Sequence, residues 1–189
     1  MAFNKVTAYV GGAGTGKTTE LKRLMLLYIK KGMKVLIYDD FDHPSYRDVP
    51  KITIAQLPYW KSGIYRLIHT DSQEAFAAIS KYVWNALIVL EDCFKYTGYR
   101  FTKPMLSFII NAKQQNCDFV FMYHCWAWVA LDLSRRCDAY VVFKTNDTPE
   151  SRFTKKDAPY LEQLTEVHKL VLLDTNDYKK KLFKTKVNG

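Results

Sequence analysis

A chain of 189 residues, 48% hydrophobic and 25% charged, holds enough apolar surface for one domain-sized core and leaves little room for a second independent domain. Its net charge of +9 divides evenly, +3 in each of residues 1–50, 51–143 and 144–189, which excludes a segregated basic arm and supports a polyanionic partner only weakly. Cys93, Cys117, Cys125 and Cys137 form no C-x-x-C pair and no metal-ligand spacing, so they read as reduced, buried thiols of an intracellular protein rather than as a disulfide framework or a zinc site.

In chain order, Val6–Val10 reads as a short buried strand, followed by a glycine-rich loop and a helix from Thr18 that Gly32 ends. Lys34–Tyr38 is a second core strand delivering Asp39 and Asp40 to its carboxyl end, and residues 42–50 are turn-rich. Lys51–Gln56 and Ile64–Ile68 read as short edge strands broken at Pro58 and Gly63. Asp71–Glu74 caps a helix carrying Phe76, Ile79, Val83 and Trp84, and Ala86–Leu90 is the next strand. A helix over Pro104–Gln115, a strand over Phe119–Tyr123, a short helix over Val129–Arg136 and a strand over Ala139–Phe143 follow. Beyond Lys144 the pattern loosens, with breaks at Pro149 and Pro159, a helix from about Tyr160, a short strand at Val171–Leu173 and a lysine-rich end. Strands apolar on both faces, alternating with helices, predict an α/β fold: a mostly parallel sheet flanked by helices on both faces. The expected organisation is a core over residues 1–145 and a C-terminal extension over 146–189. No cleavable signal pattern is seen and the apolar runs are too short to span a membrane, so a cytoplasmic location is expected.

The stretch Gly11-Gly12-Ala13-Gly14-Thr15-Gly16-Lys17-Thr18 fills the pattern G-x-x-x-x-G-K-[ST] at every fixed position, between a strand and a helix. Phosphate oxygens need several backbone N–H donors pointed inward, and glycine lets the chain bend tightly without a Cβ meeting the ligand. The helix start faces the phosphates, Lys17 reaches the β and γ oxygens, and the Thr18 hydroxyl is placed to ligate Mg²⁺; Thr19 follows in the same turn. The chain is thus expected to bind ATP with Mg²⁺.

Leu87–Leu90 then ends in two adjacent carboxylates, Glu91 and Asp92. Hydrolysis needs one carboxylate for the metal and one to orient and deprotonate water, and by position Glu91 is expected at Mg²⁺ and Asp92 at the water. Tyr123 delivers His124 to the same sheet edge. It is a candidate sensor of the γ-phosphate, the alternative being a histidine packed among Trp126 and Trp128 and satisfied by a backbone carbonyl.

Phosphate loop, acidic strand and polar-ended strand together resemble the ASCE branch of P-loop ATPases with its RecA-like core, and within it the FtsK/HerA superfamily. The match lies in Gly11–Thr18, Asn85–Asp92 and Asn111–Asp138, and the last of these stretches is similar to the superfamily's Zot-like and viral genome-packaging members. His124 stands where that family usually has Gln, and Glu91-Asp92 inverts the usual Asp-Glu. The resemblance implies a homo-oligomeric ring that moves DNA, in host cytoplasm or virion, with a possible capsid or membrane-associated partner. It also implies an arginine supplied by a neighbouring subunit, for which Arg100, Arg135 and Arg136 are candidates. Two other readings stay open. One is a small nucleotide kinase using Asp39, Asp40 or Asp42; the other is a nucleotide-dependent scaffold presenting Tyr96, Tyr99, Phe101, Trp126 and Trp128.

Overall fold

The computed structural model describes residues 4–185, the side chain of Lys113 apart. In chain order these form β1 (Val6–Val10), α1 (Lys17–Lys30), β2 (Lys34–Asp39), β3 (Lys51–Ile52), β4 (Ile64–Ile68), α2 (Ser72–Tyr82), β5 (Ala86–Leu90), α3 (Phe94–Thr97), α4 (Lys103–Gln114), β6 (Asp118–Tyr123), α5 (Leu131–Ser134), β7 (Ala139–Val142), α6 (Leu161–Leu172) and β8 (Lys181–Lys184). The strand order is β3-β4-β2-β5-β6-β1-β7-β8, the mostly parallel α/β sheet that the alternation of apolar strands and helices requires. The chain forms two compact units. Residues 4–5, Thr18–Glu91 and Thr102–Val120 make the first; Val6–Lys17, Asp92–Phe101 and residues 121–185 make the second.

In the first unit β2 pairs in parallel with both β4 and β5, and β3 with β4. β5 is buried at every position and β2 at all but its first, as expected for apolar runs covered on two faces. Asp71 caps α2 as read from sequence, its carboxylate accepting from the backbone N–H of Gln73 (2.9 Å) and Glu74 (3.1 Å). The helix stops at Tyr82, earlier than the apolar spacing suggested: Asn85 takes a positive φ of 52°, and its N–H donates to the Gln115 carbonyl (3.0 Å). Val83 is buried beyond the helix while Trp84 is exposed. Two other expectations change. The strand read over Lys51–Gln56 is only two residues long, because the Gln56 side chain accepts from the Thr53 N–H (2.9 Å) and turns the chain into a 3-10 helix over Ile54–Tyr59 that contains Pro58. β4 is an interior strand between β3 and β2, not an edge.

In the second unit β1 pairs with β7 in parallel and β7 with β8 antiparallel. Val171 and Leu172, read as a strand, belong to the last turn of α6, whose buried residues Leu161, Leu164, His168 and Val171 recur at helical spacing. The strand lies further on: Lys181 and Lys184, within the lysine-rich end, are part of β8, and they give the sheet a charged edge that resists further pairing. Lys186 lies outside the described residues.

His168 is fully buried. Its Nε2 meets the Thr145 hydroxyl at 2.9 Å, and the Trp126 ring stands edge-on to it at 5.9 Å. Burial lowers its pKa below the ordinary 6.5, against the opposing pull of Asp147 and Glu150. The native state therefore holds His168 neutral where the unfolded chain takes up a proton. The stability this contributes is complete above the ordinary pKa and is lost as pH falls below it. Thermal melts should show the midpoint dropping between neutral pH and about pH 5, and His168→Gln should flatten that part of the profile. An unchanged profile in the variant would remove His168 from the acid response.

Candidate nucleotide site

The phosphate loop leaves β1 under tight backbone constraint. The Gly11 N–H donates to the Tyr123 carbonyl (3.2 Å) and the Gly12 N–H to the Lys144 carbonyl (2.8 Å). A Cβ at Gly11 would run into the Phe143 side chain, so no larger residue fits there without displacing β7's exit. Gly16 sits at φ 90°, a conformation that L side chains rarely adopt. Within the loop the Thr15 hydroxyl donates to the Gly12 carbonyl (2.8 Å). Lys17 is buried, and its ammonium is held by the carbonyls of Gly11 (2.5 Å) and Gly12 (2.8 Å). The Lys17 charge is thus fixed over the loop, where phosphate oxygens would replace carbonyls as its partners.

A cavity of about 680 Å³ opens on this loop. Gly12, Ala13, Gly14 and Thr15 line it together with His124, Cys125, the segment Lys144–Asp147, Asp177 and Tyr178. Its rim is braced internally: the Ala127 N–H donates to the Asp147 carboxylate (2.8 Å), and Lys144 pairs with Asp177 at 3.1 Å. The fold therefore brings the predicted loop and the predicted sensor onto one cavity.

His124 has a carboxylate as its hydrogen-bond partner. Its Nε2 meets Asp92 Oδ1 at 2.6 Å, while Lys95 pairs with Asp92 Oδ2 at 2.9 Å. Asp92 reaches both partners from a left-handed backbone conformation, φ 46°, which aspartate tolerates better than most residues. The hydrogen bond from His124 holds the Asp92 carboxyl well below the usual carboxylate range, and Lys95 adds to this against the opposing effect of burial. Beyond the pair lies an apolar cavity of about 420 Å³ walled by Phe94, Met122, Tyr123 and Trp128, which His124 and Asp92 also line.

In the first unit the strand that ends at Leu90 leads into Glu91, which is buried and accepts the Tyr46 hydroxyl at 2.7 Å. Tyr46 also hydrogen-bonds with the side chain of Thr18, so one phenol links the two residues expected at the metal. Burial first, then the Glu91 charge, pushes the Tyr46 pKa far above its ordinary value, which keeps the hydroxyl protonated as a donor. Its position is built from the preceding loop. The Asp39 carboxylate accepts from the N–H groups of Phe41 (3.1 Å) and His43 (2.8 Å), and buried Arg66 on β4 binds Asp42 (2.8 Å) and the His43 carbonyl (3.1 Å). Asp39 and Asp42 are thereby engaged in loop structure, which weighs against their use on a kinase acceptor. Phe101 and Trp126 are core residues, whereas Tyr99 and Trp128 are exposed. Thr19 is exposed in the first turn of α1.

Arg100, Arg135 and Arg136 are all exposed, and none of them lines the cavity at the phosphate loop. Arg100 lies 3.8 Å from Asp132, and Arg135 lines a separate cavity. Tyr46, Lys144–Asp147 and Tyr178 were not singled out from the sequence. The turn that carries Tyr178 was legible, since Asp174 and Asn176 each accept from the backbone N–H two residues on, but nothing in it indicates the Tyr178 ring beside Gly16.

No family model matches this chain, and no curated protein sequence matches it. Solved structures do. The genome packaging NTPase B204 of Sulfolobus turreted icosahedral virus 2 in complex with AMP superposes with a TM-score of 0.76 at 12% identity, covering 100% of this chain and 99% of that one. The same protein in complex with ATP-γ-S gives 0.70 at 12% identity over 96% and 92%. The pCW3 conjugation coupling protein TcpA, with ATPγS, gives 0.54 at 8% identity, covering 86% of this chain and 54% of that one. This chain has the P-loop NTPase fold that these proteins share.

Proposed function

We propose that this chain is a Mg²⁺-dependent ATPase that works as a homo-oligomeric motor on DNA, packaging or translocating a viral genome in the host cytoplasm or virion. The observation that carries the reading is the shared cavity: the loop Gly12–Thr15 and His124, the latter held by ionised Asp92, line one space. Likeness over the full length to a viral packaging NTPase supports the direction of use. Among the described residues no helix is long and apolar enough to cross a membrane.

The residues take distinct roles. Backbone N–H groups of Gly11–Thr18 and the Lys17 ammonium bind the triphosphate. Asp92, with both oxygens engaged and its proton affinity depressed, is a weak base. It positions His124, which meets the γ-phosphate or the attacking water from the cavity wall. Glu91 is then the carboxylate available to the metal and to the water. The Thr18 hydroxyl and Glu91 carboxylate fit Mg²⁺, a hard cation that takes one or two protein oxygens beside substrate phosphates; when bound, it would neutralise charge developing on the phosphates. A neighbouring copy would supply the arginine, from Arg100, Arg135 or Arg136, and a capsid or membrane-associated protein would be the docking partner.

Sizing the protein with and without a non-hydrolysable ATP analogue, and measuring turnover with and without DNA, tests the motor reading; turnover indifferent to both DNA and protein concentration would overturn it. Lys17→Ala should abolish nucleotide binding and turnover together. Glu91→Gln should bind the analogue normally and hydrolyse ATP about 100-fold more slowly or worse. Tyr46→Phe should leave analogue binding intact while raising the Mg²⁺ concentration for half-maximal turnover about tenfold. A Mg²⁺ titration superimposable on that of the parent would show that Tyr46 serves packing alone.

A further inference from the structure

A second cavity, about 670 Å³, lies in the same unit at the other end of β7 from the phosphate loop. The register fixes this. Val10 pairs with Val142 at the loop end, while Ala139, the first residue of β7, faces Lys184 of β8. Thr185 closes the cavity end by donating from its N–H to the Asp138 carbonyl (3.1 Å) and from its hydroxyl to the Cys137 carbonyl (2.5 Å). Four residues of strand separate the two ends, about 13 Å of chain.

Tyr160 and Phe183 line this cavity with ring centroids 5.5 Å apart. The Tyr160 hydroxyl is consumed inside the protein, donating to the Ser134 carbonyl (2.5 Å) and facing the Tyr140 hydroxyl (3.2 Å). What the pair offers a ligand is therefore aromatic surface. Around it stand Arg135, Lys156 and Lys184, all exposed. None of the three forms an ion pair among the described residues, whereas Lys144, Lys155, Lys169 and Lys179 of the same unit each pair with a carboxylate. The one acid lining the cavity, Asp157, accepts from the Thr154 hydroxyl (2.8 Å) and N–H (3.2 Å), and its pKa is lowered by those bonds more than by the Arg135 charge. Three cations against the single carboxylate of Asp157 leave this concave surface net positive, a potential that a polyanion neutralises, releasing its own counterions.

We propose that this cavity is a DNA contact of the motor, with phosphodiesters on Arg135, Lys156 and Lys184 and an unstacked base or sugar over Tyr160 and Phe183. Aromatic surface beside cations favours nucleic acid, in which every phosphate comes with a base that can stack, over an acidic polypeptide, whose Asp and Glu side chains carry no ring. The inference rests on the reading of the chain as a DNA-acting ATPase and assigns where on this unit the DNA is held.

The test uses the full chain and a short fluorescent oligonucleotide, single-stranded or duplex, with anisotropy followed from about 50 to 200 mM salt. The variant is Lys156→Gln with Lys184→Gln; Arg135 is left in place because it is also a candidate for the neighbouring nucleotide site. Binding of a fluorescent ATP analogue, expected unchanged, reports that the variant is folded. The double variant should bind DNA about tenfold more weakly or worse at the lowest salt, and its slope of log affinity against log salt should be shallower by about 2. If the double variant loses the ATP analogue, the single variants replace it, each expected to reduce the slope by about 1. A parent chain that binds neither DNA removes the DNA reading and this site with it. A parent that binds while the variants keep its affinity and slope overturns the site and leaves the DNA reading standing. Polyglutamate displacing the oligonucleotide as well as DNA does, at equal charge, would also overturn it, in favour of an acidic protein partner.

Discussion

The close approach of backbone at Gly11 is the constraint from which the cavity at the phosphate loop follows. Two consecutive N–H groups are spent on carbonyls at the ends of neighbouring strands, Gly11 on Tyr123 and Gly12 on Lys144, and a Cβ at Gly11 has no room beside Phe143. Strand ends held this tightly must release their next residues at the loop. Tyr123 is followed by His124, and Lys144 by Thr145, Asn146 and Asp147; all four line the same cavity as the loop. The contents of the cavity are thus a consequence of where parallel strands end, in keeping with the general rule that ligands of such sheets sit beyond the carboxyl ends of their strands.

The adjacent carboxylates Glu91 and Asp92 illustrate how backbone conformation separates two chemically similar groups. Glu91 continues the buried β5 and meets the Tyr46 phenol. One residue on, the left-handed turn at Asp92, which costs about 1–2 kcal/mol in an ordinary L-residue, swings the next carboxylate toward His124 and Lys95. Charge-assisted hydrogen bonds to both oxygens offset that cost. An aspartate tolerates the left-handed region better than a glutamate does, because its short side chain bonds locally. That is a physical reason for the order Glu then Asp: the second position needs the residue that can turn, and the first needs the longer reach from a regular strand.

Much of this was legible in the sequence, and the limits were physical. The phosphate loop, the capped helix after Asp71 and the core strands are set by local rules of backbone freedom, capping and apolar runs, and they form where those rules put them. Val171–Leu173 misled because three consecutive apolar residues look like a strand in isolation, whereas the spacing Leu161, Leu164, His168, Val171 is that of one helix face. β8 was hidden because strand formation there depends on pairing with β7, distant in sequence. Tyr46 was unreadable for a similar reason: Asp39, Asp42 and Arg66 fold the loop that carries it, and no local pattern states that a tyrosine in a turn will end beside Glu91. For His124 the residue was legible but its partner was not, since Asp92 lies 32 positions away.

Charge shows the same dependence on pairing. In sequence the surplus is spread, +3 in each of the three stretches, and it singles out no surface. In the fold, lysines at the loop end of the second unit are neutralised in place, Lys144 by Asp177 and Lys179 by Asp174, which suits the proposed binding of a triphosphate by Lys17 and backbone N–H groups rather than by a diffuse basic field. At the opposite end of β7, Arg135, Lys156 and Lys184 form no ion pair among the described residues, and a single carboxylate, Asp157, lines the same cavity. Under the proposed roles, a site that discriminates and releases a nucleotide gains from few, fixed charges, and one that holds a long polyanion loosely, along its length, gains from a positive excess that screening by salt can weaken. The difference between the two ends lies in which lysines have acids beside them, and that is set by folding, not by composition.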